Sequence, residues 1–289
     1  MSHCQAARLS DRGVLRVTGT DAHKLLQGII TNDIDRAKDG AAVHTGLLSP
    51  QGKILFDFFV VPHDGGFLIE AAKETLPELA RRLGFYRLRA QVEIAEAPEL
   101  VVAAIWEGTP NLPEGAISFT DPRLPELGSR VLLPAGTALS ELTCEDANED
   151  AYHAHRIALG VPEGGRDYDF GDTFPHEALF DQLNGVDFGK GCFVGQEVVS
   201  RMQHRGTTRK RIVPVEGDAP LQSGAEIKAG NLPLGTLGSV SGARGLALLR
   251  LDRAEDATSK GTALTCGGAI IRLRRPSFVA FDVPAALPA

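Results

Sequence analysis

Apolar positions in the first hundred residues fall in short alternating or continuous runs broken by polar turn residues, the pattern of an α+β unit. Val14 to Val17 predicts a strand, and Gly19-Thr20-Asp21 offers caps for a helix through His23 to Gln27 that stops at Gly28. A turn at Thr31-Asn32-Asp33 leads to a strand over residues 42–48, a Ser49-Pro50-Gln51-Gly52 turn and an apolar strand over residues 54–61. His63 to Gly66 closes a hairpin into Phe67 to Glu70, and a helix over residues 74–83 tolerates Pro77 only near its first turn. Val92 to Ile94 and Leu100 to Trp106 read as strands, and the Pro- and Gly-rich residues 107–135 as loops joining short strands. Asn148 caps a helix over residues 149–159 that carries Tyr152, His155, Arg156 and Leu159 at helical spacing and stops at Gly160. After Arg211, short strands alternate with glycine turns and helical periodicity is absent, which predicts a small closed β-barrel, since closure removes exposed strand edges. The organisation expected is an α+β part over residues 1–100, a second α+β part over 101–208, and a barrel over 209–289.

Composition narrows the class. The 289 residues exceed one ordinary core and suggest two or three packed units, and 43% hydrophobic with 23% charged residues is the balance of a folded globular protein. A formal charge of −7 argues against a nucleic-acid footprint over the whole surface, although residues 201–211 hold Arg201, Arg205, Arg209, Lys210 and Arg211 with His204 and no acid. That run is a solvated face or a docking patch for an acidic partner, a polyglutamate tail or RNA phosphates. Cysteines at 4, 144, 192 and 266 form no Cys-x-x-Cys pair and no familiar zinc spacing, so no resident metal is expected. The start, Met1-Ser2-His3-Cys4-Gln5, lacks the regions of a signal peptide, and no apolar run reaches the roughly 18 residues of a membrane helix. A cytoplasmic chain with reduced thiols is the expectation.

The densest chemistry lies in Lys190-Gly191-Cys192-Phe193-Val194-Gly195-Gln196-Glu197, where one cysteine stands between glycines ahead of a short helix. A thiol at a helix N-terminus with an ammonium two residues away favours the thiolate; the alternative is a small buried hydrophobe. Asp57 interrupts an apolar run where alternation does not explain a carboxylate, so it meets a ligand, a backbone donor or an arginine of the Tyr86-Arg87-Leu88-Arg89 segment. The glycine-rich residues 160–165 lack the Lys-Ser/Thr pair of a phosphate loop. Glu177 caps a turn or faces a cavity, and His153, His155 and His176 are not at paired metal-ligand spacing.

Residues 190–197 resemble the signature of the YgfZ family, folate-binding-like iron–sulfur assembly factors related to the glycine-cleavage T-protein. Leu25-Leu26-Gln27-Gly28-Ile29-Ile30-Thr31-Asn32-Asp33, Tyr86 to Arg89, Phe174-Pro175-His176-Glu177 and Leu183 to Phe188 resemble further motifs of that family, and Ser200 to Gly206 is similar to its mitochondrial and α-proteobacterial branch. The resemblance implies a three-subdomain cloverleaf of the aminomethyltransferase folate-binding type with a small C-terminal β-barrel. It implies maturation or repair of 4Fe–4S clusters in client enzymes, including radical enzymes that modify tRNA. Cys192 and Lys190 would be the acting residues, with Gly191, Gly195, Gln196, Glu197 and Arg201 supporting the motif. Tetrahydrofolate would be the cofactor, with Asn32, Asp57, Tyr86 and Glu177 as candidate contacts. Iron–sulfur client and assembly proteins would be the partners, with no direct nucleic-acid or membrane partner.

The alternative is an aminomethyltransferase that passes a one-carbon unit to tetrahydrofolate. Those enzymes carry a paired acid where this chain has Phe56-Asp57, and a pterin-binding Glu in the stretch that corresponds to Arg156-Ile157-Ala158-Leu159-Gly160. Ala158 has no side-chain acceptor, so that classical reaction is not expected.

Overall fold

The computed structural model describes residues 4–206 and 208–284; the start from Met1 to His3, read above for a signal peptide, lies outside them. The chain divides into two compact units, Met1–Tyr152 with Leu183–Gln196, and His153–Gln182 with Glu197–Ala289.

The first unit contains β1 (Gln5–Arg8), β2 (Arg12–Thr18), α1 (Ala22–Ile29), β3 (Val43–Leu48), β4 (Ile54–His63), β5 (Gly66–Ala72), α2 (Leu76–Arg87), β6 (Glu93–Glu96), β7 (Leu100–Trp106), β8 (Ile117–Thr120), β9 (Ser129–Pro134) and β10 (Glu145–Asp146). They make two five-stranded sheets, ordered β3-β4-β5-β2-β6 and β10-β1-β7-β9-β8. β4 explains how they meet. Its Phe56, Phe58 and Val60 join Leu26, Ile29, Leu79 and Leu83 of the two helices in one core. Phe59 and Val61, on the opposite face, join Val102, Ala104 and Leu132 of the second sheet in another. A strand buried on both sides needs an unbroken apolar run, which residues 54–61 supply except at Asp57.

α1 runs through Gly28, where the sequence pattern predicted a stop; nothing lies within 4 Å of a Cβ built there, and the helix ends when Ile30 turns extended. α2 starts at Leu76 and reaches Arg87, with Pro77 in its first turn, where its missing N–H costs nothing. Cys4 and Cys144 form a disulfide, which corrects the expectation of reduced thiols. It joins segments 140 residues apart, where β1 pairs in parallel with β10 at the edge of the second sheet.

The second unit holds most of α3 (Glu149–Leu159) and α4 (Gln196–Arg205), followed by β11 (Lys210–Gly217), β12 (Glu226–Ala229), β13 (Leu232–Ser241), β14 (Arg244–Arg250), α5 (Leu251–Ser259), β15 (Leu264–Cys266) and β16 (Ala269–Leu273). The strands close as β11-β14-β13-β12-β15-β16, the predicted barrel. The absence of helix after residue 211 is corrected by α5, which buries Leu251, Ala254 and Ala257 against the barrel core. The signal was a spacing of three carried by alanines, too weakly apolar to register as a stripe. Arg156, fully buried on α3, forms an ion pair with Asp167 at 2.6 Å and donates to the Ser239 hydroxyl at 2.7 Å, so one guanidinium ties α3 to the loop of Asp167 and to β13. Among the described residues no helix is long and apolar enough to cross a membrane.

The disulfide yields a direct expectation. Cys144→Ser releases a long loop in the unfolded chain and lowers the unfolding free energy by about 2–4 kcal/mol, read as a lower urea midpoint with a steeper slope, since the released chain exposes more surface.

Candidate functional site

The signature segment and the Leu25 to Asp33 motif, more than 150 residues apart in sequence, meet at the end of α1. Lys190 is buried, and its ammonium donates to the carbonyls of Gln27 (2.8 Å), Ile30 (2.7 Å) and Asn32 (2.9 Å). These are carbonyls of the helix end and the turn after it, where a cation answers both the unpaired acceptors and the negative pole of the dipole. Around this clamp the Thr31 hydroxyl lies 2.6 Å from the Gly185 carbonyl, the Asn32 amide donates to the carbonyls of His44 (2.8 Å) and Asn184 (2.6 Å), and Arg36 pairs with Asp187 at 2.5 Å. Burial lowers the Lys190 pKa to about 8, with Asp33 and Asp187 acting in the opposite direction.

Lys190 is thus placed as a brace, with its three protons directed to α1 rather than supplied to the thiol. Cys192 is exposed and free. α4 begins only at Gln196, so the thiol stands ahead of the first helical turn instead of within it. Gly195 has φ +80°, and a Cβ there would lie 2.6 Å from the Ser49 carbonyl oxygen, so the tight approach of this loop to the turn before β4 requires glycine. Gly191 has nothing within 4 Å of a built Cβ and no such requirement. The Gln196 N–H donates to the Phe193 carbonyl at 3.3 Å, while Glu197 and Arg201 are exposed on α4.

The four candidate folate contacts separate. The side chain of Asn32 is spent on the brace: both amide protons are donated, and its oxygen accepts the Asp33 N–H at 2.8 Å. Tyr86 is half-buried near the end of α2. Glu177 belongs to the second unit and accepts the Phe174 N–H at 2.9 Å, the turn-capping role. Asp57 is buried on β4, on the face that carries Phe59.

That face bears a polar cluster that the sequence reading missed. Asp121 takes two hydrogen bonds from the Arg123 guanidinium, at 3.0 and 2.7 Å, and lies 3.6 Å from Arg130; both arginines reach the Tyr152 hydroxyl. The guanidinium carbons of Arg123 and Arg130 lie 5.1 and 5.5 Å from the Phe59 ring centre, and the His44 ring packs against it edge-on. Burial alone would push the Asp121 pKa up, but Arg123 and then Arg130 hold it below the ordinary value. Burial, reinforced by Arg123, lowers the His44 pKa to about 4 against the pull of Asp57. His44 is therefore neutral near pH 7, with its Nδ1–H donated to the Leu183 carbonyl at 3.0 Å. One available signal was Arg130 at the head of the apolar run Val131-Leu132-Leu133, a charge on a strand buried throughout its middle.

The residues after the signature helix match a family model described as CAF17, C-terminal beta-barrel domain, over residues 209–281. The chain is 36% identical over 239 residues to the mitochondrial iron–sulfur cluster assembly factor IBA57 homolog of Neurospora crassa, covering 74% of this chain and 54% of that protein. It is 34% identical over 281 residues to the human mitochondrial iron–sulfur cluster assembly factor IBA57, covering 84% of this chain and 76% of that protein. The chain belongs to the IBA57/CAF17 family. It spans about half the length of its fungal IBA57 relatives, 54% of the Neurospora protein and 56% of the Pyricularia oryzae one. Its fold resembles the glycine cleavage system aminomethyltransferase T of Bartonella henselae, with a TM-score of 0.77 at 17% identity over 96% of this chain and 87% of that one. The folate-binding type of fold and its terminal barrel were thus read correctly. The cytoplasmic reading is overturned, because these IBA57 relatives are named as mitochondrial proteins.

The neutral, buried His44 sets a pH dependence. Its folded pKa of about 4 lies below the ordinary histidine value of 6.5, so between these values the unfolded chain holds the extra proton. Stability from this group is complete above about pH 6.5 and falls by about 3 kcal/mol as pH drops through 4. Urea unfolding at pH 7 and pH 4.5 checks this: His44→Gln, which keeps a donor toward Leu183, loses that part of the pH dependence.

Proposed function

We propose that this IBA57-family chain serves maturation or repair of 4Fe–4S clusters in client enzymes, tRNA-modifying radical enzymes among them, and acts through Cys192. One observation carries the reading: of the two free cysteines, Cys266 is buried in the barrel core and Cys192 is exposed on a loop clamped from both sides. The cluster is cargo. A single thiol offers one of the four ligands such a cluster takes, so the others come from thiols of an assembly or client protein during transfer. The clamp fixes where that one ligand stands, and its exposure leaves the sulfur open to a partner.

Replacing Cys192 with Ser is expected to reduce client-enzyme activity to the level of cells lacking the protein, while the melting temperature is unchanged. Normal client activity in that strain removes the role given to the thiol.

The same reading takes tetrahydrofolate as an associated small molecule, supported by the folate-binding type of fold. Asp57 has the chemistry for it, a buried carboxylate able to accept the N–H groups of an aminopterin ring, whereas Tyr86 packs against the core on the other side of β4. Asn32 and Glu177 already use their side-chain groups within the chain. Calorimetric titration of the full chain with tetrahydrofolate is expected to give saturable binding that Asp57→Asn weakens about tenfold, the scale of one charged hydrogen bond. Equal affinity for both proteins removes Asp57 from the site.

A further inference from the structure

The end of α2 carries a surface that the Cys192 reading does not use. Phe85 and Leu88, three residues apart, are the most exposed large apolar side chains among the described residues, at 60% and 87%. No acid occurs between Glu78 and Glu93, whereas Arg81, Arg82, Arg87 and Arg89 all do. Arg81 is neutralised by its two hydrogen bonds to Glu78, at 2.5 and 2.6 Å, and lies 5.0 Å from the centre of the Phe85 ring. Arg87 spends one N–H on the Val92 carbonyl, an uncharged acceptor, and Arg89 is exposed, so both keep their positive charge at the surface.

The backbone supplies an independent observation. The Ala90 N–H donates to the Arg87 carbonyl at 2.7 Å, closing a four-residue turn with Leu88 at φ +47°, ψ −105°. Those angles belong to the first central position of a type II′ turn, which glycine ordinarily occupies because a Cβ is strained there. Leu88 is therefore held in a conformation unfavourable for leucine while its side chain is largely exposed. Strained backbone positions cluster at ligand clamps and switch regions.

We propose that Phe85, Leu88 and the surrounding arginines form a docking surface for an acidic segment of a partner protein that carries an apolar side chain between its carboxylates. Charge complementarity favours this occupant: the patch is cationic on a chain whose net charge is −7. A lipid surface fits less well, because two side chains bury less hydrocarbon than a single acyl chain, which itself anchors only marginally, and the net charge repels an anionic bilayer. Nucleic acid fits less well, because few unpaired cations face outward and one exposed ring gives little stacking.

The test uses the full chain and a short fluorescent peptide in which glutamates flank one leucine and one phenylalanine. Anisotropy is expected to give saturable, salt-sensitive binding, with hydrogen-exchange protection confined to residues 81–90. Leu88→Gly and Arg89→Glu should each weaken it about tenfold, a typical scale for an interface anchor. Leu88→Gly should also keep or raise the melting temperature, since glycine suits the turn; a lowered melting temperature would assign Leu88 to the fold and overturn the proposal. So would absence of saturable binding, equal binding of a peptide with serines in place of the apolar pair, or indifference to both substitutions. Leu88-dependent sedimentation with phosphatidylserine vesicles would overturn it in favour of a membrane. Client-enzyme activity in Cys192→Ser is a separate readout, so either reading can fail alone.

Discussion

The ammonium of Lys190, held by three carbonyls at the end of α1, is the interaction on which the first unit's functional geometry depends. A helix end leaves carbonyls that need donors, and a lysine can supply three protons to acceptors converging from one side. Without that ammonium, the carbonyls of Gln27, Ile30 and Asn32 would have to find water in a buried place, and the loop of residues 183–196 would lose its strongest tie. The smaller ties have the same sense: Thr31 to Gly185, Asn32 to Asn184 and Arg36 to Asp187 join residues 31–36 to the segment just ahead of the signature. Two stretches that look like separate signatures in the sequence form one folded object, joined by a cation.

The elements of this fold were largely visible in the sequence because their periodicities are strong. β4 declared itself by a continuous apolar run, and the barrel by short strands between glycine turns. α5 escaped because two of the three residues on its buried face are alanines, and the stop at Gly28 was misplaced because glycine is tolerated in a helix when its surroundings are open. Individual site residues were legible where chemistry was concentrated, as at Cys192, and Asp57 stood out as a charge in an apolar strand. The role of Lys190 was not legible. Proximity in sequence suggested a charge for the thiol, whereas its partners lie more than 150 residues away and only folding brings them into range. The disulfide was hidden for the same reason, since the spacing of Cys4 and Cys144 carries no pairing information.

The buried face around Phe59 extends this point to electrostatics. Asp121, Arg123, Arg130 and Tyr152 are linked to one another, although Arg130 leaves its Nε and Nη1 without a hydrogen bond, so opposite charges enter the interior as a connected group whose desolvation is partly offset by short hydrogen bonds and ring contacts. His44, at the same face, is kept neutral by the low-dielectric surroundings that strengthen those bonds. Asp57 lies beside this network on a strand whose other side is solid core, Phe56 included. Phe56 takes the core side of the strand, and Asp57 is the one carboxylate that β4 brings to the polar face.

Cys192 and Leu88 depart from the expectation that reactive or apolar groups are covered, and the surrounding structure treats the two differently. Cys192 stands on a loop whose backbone is satisfied on both sides, by the Lys190 clamp and by the close contact of Gly195 with Ser49, so its exposure carries no strain. Under the function proposed for this chain, a thiol fixed in this way would meet an incoming thiol-ligated cluster without the entropy cost of ordering its own loop. Leu88 is exposed at a cost in backbone energy, and a mutation to glycine would remove that cost without disturbing any packed neighbour. A fold that satisfies Lys190, Arg156 and Asp121 so thoroughly has the means to relax one surface turn, and leaving leucine there is consistent with a benefit that appears only when another molecule is present.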